Sequence, residues 1–154
     1  MQGNFEIIDA HIHPAPTAEW NTRWYTPFES PAKDVADLRA CGITRACGAC
    51  IRRVEKPDFA LMQGANRAAI EFQRMFPDFY IPAIQVHPRH PEESCREVER
   101  YHREHGVRWI GELVGYMHGY KEEFDSKGAF QIYELAQQLG MVVNIHCQEI
   151  GRAH

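Results

Sequence analysis

Short β-branched or aromatic runs alternate with longer amphipathic stretches along the whole chain, and three of the four amphipathic stretches stop at a glycine immediately before the next run: Gly42, Gly106 and Gly140. That alternation is the sequence form of repeated strand-helix units around a parallel sheet, with glycine placed where a left-handed backbone angle is cheapest. The predicted strands lie near Phe5 to Ala10, Ile43 to Cys50, Tyr80 to Val86, Val107 to Leu113 and Met141 to Cys147. The first helix starts at about Pro31 and carries Val35 and Leu38. The second starts behind Asp58, with Leu61, Met62, Ala65, Ala69, Phe72 and Phe76 on one face. The third opens on Pro91, Glu92 and Glu93, as the helix dipole favours, and buries Val98 and Tyr101. The fourth runs through Phe130, Tyr133, Ala136 and Leu139. The expected fold class is α/β, a (βα)4β chain of five parallel strands in one domain, residues 1–154.

Composition narrows the functions such a fold could serve. Seventeen Lys and Arg against 21 Asp and Glu leave a net charge of -4, so no basic excess exists to coat a phosphate backbone, and nucleic acid enters only as a substrate. No apolar run approaches the roughly 20 residues that cross a bilayer, and the N-terminus lacks a signal peptide's regions. The expectation is a cytoplasmic protein with no membrane partner. Five cysteines form no secreted framework, and Cys47 and Cys50 read as buried, reduced strand thiols rather than half of a zinc site.

Parallel strands buried on both faces should be continuously apolar, so their polar exceptions carry information. The first strand ends at His11 and His13, the third at His87, the fourth at Glu112 and the fifth at His146. All fall at the carboxyl edge, where parallel α/β folds place their ligand sites. His11 and His13 are two apart on extended backbone and so point to one side, able to meet one ion. Two imidazoles and a carboxylate from a neighbouring strand suit zinc or a similar divalent ion. Other readings exist for each: solvated histidines at 11 and 13, an acid at 112 held by Arg108, a core histidine at 146. His87 could contact substrate or turn the chain into the next helix, while Arg52 and Arg53 could bind an anion or be solvated. His102, His105 and His118 have no spacing that favours a ligand role.

Ile8-Asp9-Ala10-His11-Ile12-His13 resembles the first-strand metal motif of the amidohydrolase superfamily, and Val143-Asn144-Ile145-His146 is similar to its fifth-strand histidine. Val86-His87-Pro88 with Ile110-Gly111-Glu112-Leu113 resembles the TatD-like deoxyribonucleases, in which the strand-four glutamate bridges two ions. The long loop after His13 also fits amidohydrolase-related family 2, with its single-metal decarboxylases and lactonases. The resemblance implies a partial (β/α)8 barrel of the TIM type, since eight strands need about 250 residues. It implies one or two divalent ions, zinc foremost, on His11, His13, Glu112 and His146, with His87 toward the substrate. A sixth-strand histidine and an eighth-strand aspartate of that family have no counterpart in these 154 residues. The implied activity is hydrolysis of an amide, ester or phosphoester bond by metal-activated water. Non-oxidative decarboxylation of a small acid is the alternative, and a non-catalytic metal-binding fragment that self-associates through open sheet edges is a third.

Overall fold

The computed structural model describes residues 5–22, 27–52, 58–120 and 123–146; Arg53, Cys147 and the residues around each chain end lie outside them. The chain alternates as the sequence implies: β1 (Ile8–Ile12), α1 (Pro31–Ala40), β2 (Arg45–Gly48), α2 (Phe59–Met75), β3 (Tyr80–Ile84), α3 (Pro91–His105), β4 (Trp109–Leu113), α4 (Gly115–His118), α5 (Lys127–Gln138) and β5 (Val142–Ile145). The five strands are parallel and lie in sequence order, each beside the next. Helices interleave with this curled sheet, forming part of a TIM-type barrel.

Local chemistry sets the helix starts. Ser30 caps α1 by accepting from Lys33 N–H at 3.1 Å, Asp58 caps α2 by accepting from Leu61 N–H at 3.0 Å, and Ser126 caps α5 by accepting from Ala129 N–H at 3.2 Å. Pro31 and Pro91 occupy first-turn positions that need no N–H partner. Gly106 ends α3 with φ of 65°, a left-handed turn that frees the chain to enter β4.

Two apolar clusters sit under the sheet. One gathers Val35, Ala65, Ala69, Phe72, Phe79 and Tyr80 beneath β2, and the other gathers Ile84, Val98, Tyr101, Ile110, Leu113 and Ile132 beneath β3 and β4. Each fully buried side chain of this size contributes about 1.5–3 kcal/mol, which makes the β2–β4 centre the stable part of the body.

Three expectations change. β1 starts at Ile8 rather than Phe5 and extends through His11. It is also not buried on both faces: Ile7 and Ile8 are about half exposed, as is Val142 on β5, because these two strands are the edges of an unclosed sheet. Finally, the segment between β4 and α5 is not plain loop. It contains the one-turn helix α4, ended by Gly119 with φ of 77°.

Candidate metal centre

Where β1 and β4 carry their polar residues, both leave regular ladder geometry. The β1–β2 register shifts between Asp9 and Ile12, and the β4–β5 register shifts between Ile110 and Leu113. Such irregularities re-aim side chains beside functional sites. Each depends on a glycine. A Cβ on Gly48 would lie 1.8 Å from the Ile12 carbonyl oxygen, between the two histidines in sequence. Gly111 has φ of 96°, and a Cβ there would lie 2.2 Å from the Asn144 carbonyl oxygen, next to Glu112.

The result is a compact donor set. His11 Nε2 and His13 Nε2 are 3.2 Å apart, and each lies 3.4 Å from Glu112 Oε2. The three donors lie within 4.8 Å of one another. Atoms bound tetrahedrally about 2.0–2.2 Å from one ion stand about 3.3–3.6 Å apart, so this triangle has the edge lengths a divalent ion requires. The tautomers also agree. His13 Nδ1–H donates to the Ala49 carbonyl at 3.1 Å, leaving the Nε2 lone pair facing the triangle, the arrangement that orients metal-ligating histidines.

His146 joins through the carboxylate's other oxygen. Its Nδ1–H donates to Glu112 Oε1 at 2.7 Å, which leaves Nε2 as its bare lone pair. Three of the four expected ligands therefore meet at one point, and the fourth is one carboxylate oxygen away. Arg108 does not hold the acid; its guanidinium donates to the Leu139 carbonyl. Burial pushes the Glu112 carboxyl up, but the surrounding His13, His146 and His11 rings outweigh it and hold the pKa of the metal-free carboxyl at about 2.

The triangle opens into a cavity of about 870 Å³, lined also by His146, Tyr116, Met117, Arg52 and Glu19. Arg52 is ion-paired with Glu19 at its wall. His87 is not among the lining residues. It is 4% exposed; its Nδ1 accepts from Arg89 N–H at 3.2 Å and its Nε2–H donates to the His118 carbonyl at 3.2 Å. Both ring nitrogens are thus engaged within the chain, and the residue supports the wall and the turn into α3 instead of facing the cavity.

His118, which its spacing left without a role, is 1% exposed behind this wall. Its Nδ1 has no hydrogen-bond partner among the described residues. Burial lowers its pKa to about 4, helped by the charges of His87 and His13 and opposed by Glu112, so it lies within electrostatic reach of the donor set. No sequence period could have found it, because α4 is a single turn. The cysteines behave as expected: Cys47 and Cys50 are buried, free thiols, and burial raises Cys47 to about 12.

No protein-family model and no curated protein sequence matches the chain. Solved structures do. It is similar to 5-carboxyvanillate decarboxylase from Novosphingobium aromaticivorans, bound to manganese and a nitrobenzoic acid, with 25% identity and a TM-score of 0.58 over 72% of this chain and 33% of that one. Its structural neighbours are enzymes of the amidohydrolase superfamily. Two further structures share the superfamily fold. An amidohydrolase II matches 97% of this chain and 54% of its own, with a TM-score of 0.67 and 15% identity. The 4-oxalomesaconate hydratase from Rhodopseudomonas palustris matches 89% of this chain and 51% of its own, with a TM-score of 0.61 and 18% identity. The chain thus spans between a third and about half of these relatives' lengths. They support the amidohydrolase-related branch of the superfamily; none of the three is a TatD-like nuclease. Among the described residues, no helix is long and apolar enough to cross a membrane.

Proposed function

We propose that this chain supplies the metal-binding half of a barrel enzyme acting on a small carboxylic acid, with non-oxidative decarboxylation as its reaction. The observation that carries the reading is the His11–His13–Glu112 triangle opening into the same cavity as the Arg52 guanidinium. His11 and His13 would hold the ion through Nε2 and Glu112 through Oε2, while the hydrogen bond to Oε1 aims His146 at the same region. A divalent ion bound there would polarise a substrate oxygen and lower the pKa of a water in contact with it. Arg52 would give up Glu19 for a substrate carboxylate, exchanging one charge-assisted pair for another. Glu112, ionised throughout the neutral range, supplies the negative charge of the donor set. The manganese and benzoate analogue in the carboxyvanillate decarboxylase agree with this ligand chemistry. Zinc is an equally acceptable ion for a donor set of two imidazoles and one carboxylate.

A second reading, hydrolysis, is favoured by the division of the Glu112 oxygens. One faces the histidine pair and the other faces His146, the disposition a carboxylate would need to bridge two ions. Elemental analysis after loading with manganese or zinc separates the two. One ion per chain, lost in His11→Ala and in Glu112→Ala, supports the single-ion reading; two ions favour hydrolysis. Product analysis of the complete barrel then distinguishes released carbon dioxide from a hydrolysed bond. A chain that binds neither metal at near-stoichiometric concentration defeats both readings.

A further inference from the structure

On its β3 side, the Glu112 backbone lies past the last ladder pair. Pairing between β3 and β4 is recorded only for Ala83 with Trp109 and Ile84 with Ile110, so the peptides of residues 85 and 112 lie beyond it. Buried groups in that position need other partners. The Glu112 carbonyl accepts from Gln85 Nε2 at 3.0 Å. Gln85's own peptide is clasped on both sides by one residue of α2: its N–H donates to Asn66 Oδ1 at 2.6 Å, and its carbonyl accepts from Asn66 Nδ2 at 3.1 Å. Asn66 Nδ2 also reaches Glu97 Oε2 at 3.3 Å, and Glu97 is ion-paired with Arg100 at 2.7 Å on α3. Asn66, Gln85 and Glu97 are 0%, 1% and 6% exposed.

Two side-chain amides therefore replace the missing rungs, one behind the other, and the last of them ends on the residue whose carboxylate faces the histidines. The orientation of the Gln85 amide is informative. Its Oε1 is buried with no hydrogen-bond partner among the described residues, an arrangement that costs about 1–3 kcal/mol. Turning the amide over would set two oxygens against each other and leave the Glu112 carbonyl orphaned. The side chain tolerates one unmet acceptor in order to hold that carbonyl.

We propose that Gln85, clasped by Asn66, is a positioning residue that sets where the Glu112 carboxylate stands. The proposal rests on the metal-site reading above. It predicts that losing the amide loosens metal binding through Glu112, beyond any general loss of stability.

The test uses the full 154-residue chain with Mn²⁺ by calorimetry and Co²⁺ by its visible spectrum. Gln85→Met keeps length and bulk without the donor, and Gln85→Leu removes the donor with a shorter apolar side chain. Val98→Ala, a core truncation on the buried face of α3, controls for lost stability. The expected result is about 10- to 100-fold weaker Mn²⁺ binding in both Gln85 variants, the range seen when outer-shell partners are removed. An altered Co²⁺ spectrum should accompany it, with Val98→Ala close to the parent in both. If either folded Gln85 variant matches the parent in affinity and spectrum, or Val98→Ala loses as much, the proposal is overturned. Glu112→Gln separates this from failure of the underlying reading: if Mn²⁺ binding ignores that change, the metal site falls and the positioning role with it.

Discussion

His11 stands on β1, an edge strand with one neighbour, and His13 directly follows it, while Glu112 stands on β4 between β3 and β5. The imidazoles are correspondingly open, with side-chain exposures of 50% and 22%, against 7% for the carboxylate. The histidine arm is fixed by the Ala49 carbonyl and the close approach of Gly48. The glutamate arm is fixed by Gln85, by His146 and by the packed cluster under β3 and β4. One arm is a preorganised buried anion and the other a pair of soft, adjustable donors, so the same kind of damage should have different consequences in each.

The largest expected effect is on metal binding itself. Glu112→Gln removes the only anionic donor of the triangle and should weaken Mn²⁺ binding by more than the ~10- to 100-fold typical of outer-shell changes. His11→Ala, at the exposed corner, should cost less, because a water can take the vacated position. Calorimetric titration of both variants checks the order, and the reverse order would mean that the histidine arm is the rigid one.

Next come the two glycines. Alanine at Gly48 would drive a methyl into the Ile12 carbonyl at 1.8 Å, and at Gly111 into the Asn144 carbonyl at 2.2 Å on backbone with φ of 96°. Backbone cannot step aside as a flexible side chain can, so each substitution should cost about 3 kcal/mol or more. Urea unfolding followed by far-ultraviolet dichroism reports the loss. Gly48→Ala should be the milder of the two if β1, with no outer neighbour, can shift outward; equal losses would show that the edge is as fixed as the centre.

Acid should find two buried groups, His118 behind the wall and then Glu112, in succession in the metal-free chain. His118 has its pKa lowered to about 4 by burial first, so between its ordinary value of 6.5 and 4 the unfolded chain binds the extra proton. Stability is therefore lost as pH falls through that window, by about 3 kcal/mol at the order-of-magnitude level. Glu112 is held at about 2 against an ordinary 4.5. Its contribution is complete above 4.5 and disappears as pH falls toward 2. His118→Asn should flatten the upper window and leave the lower one, and Glu112→Gln should do the opposite. A single slope unaffected by either substitution would remove the distinction.

Much of this comparison was readable before any coordinates. Alternation with glycine stops revealed the parallel units, and polar residues at the ends of apolar strands singled out His11, His13, Glu112 and His146 as candidates, because apolar burial makes such exceptions visible. What escaped was whatever depends on a departure from regular structure. Gln85 and Asn66 lie inside apolar stretches and could have been questioned on the same grounds, yet their partners are backbone groups freed by an irregularity that no period encodes. His118 sits on a single helical turn with too few residues to show one. His87 shares the strand-end placement of the candidate donors, but its two internal hydrogen bonds hold it away from the cavity.

The smallest effect tests the cavity wall that both arms face. Arg52 and Glu19 are paired but 40% and 57% exposed, so solvent screens them, and Glu19→Gln should change folding stability by less than about 1 kcal/mol. If Arg52 exists to receive a carboxylate, the same change should release it and strengthen binding of a simple aromatic acid, with benzoate as the probe, to the manganese-loaded chain. Arg52→Gln should weaken that binding and also leave stability nearly unchanged. Parallel titrations at low and high salt make the result sharp: a direct ion pair loses affinity with salt only where Arg52 is present. Benzoate binding that ignores both substitutions would show that the pair merely ties the first long loop to the end of β2, and the case for an acid substrate would lose its second support.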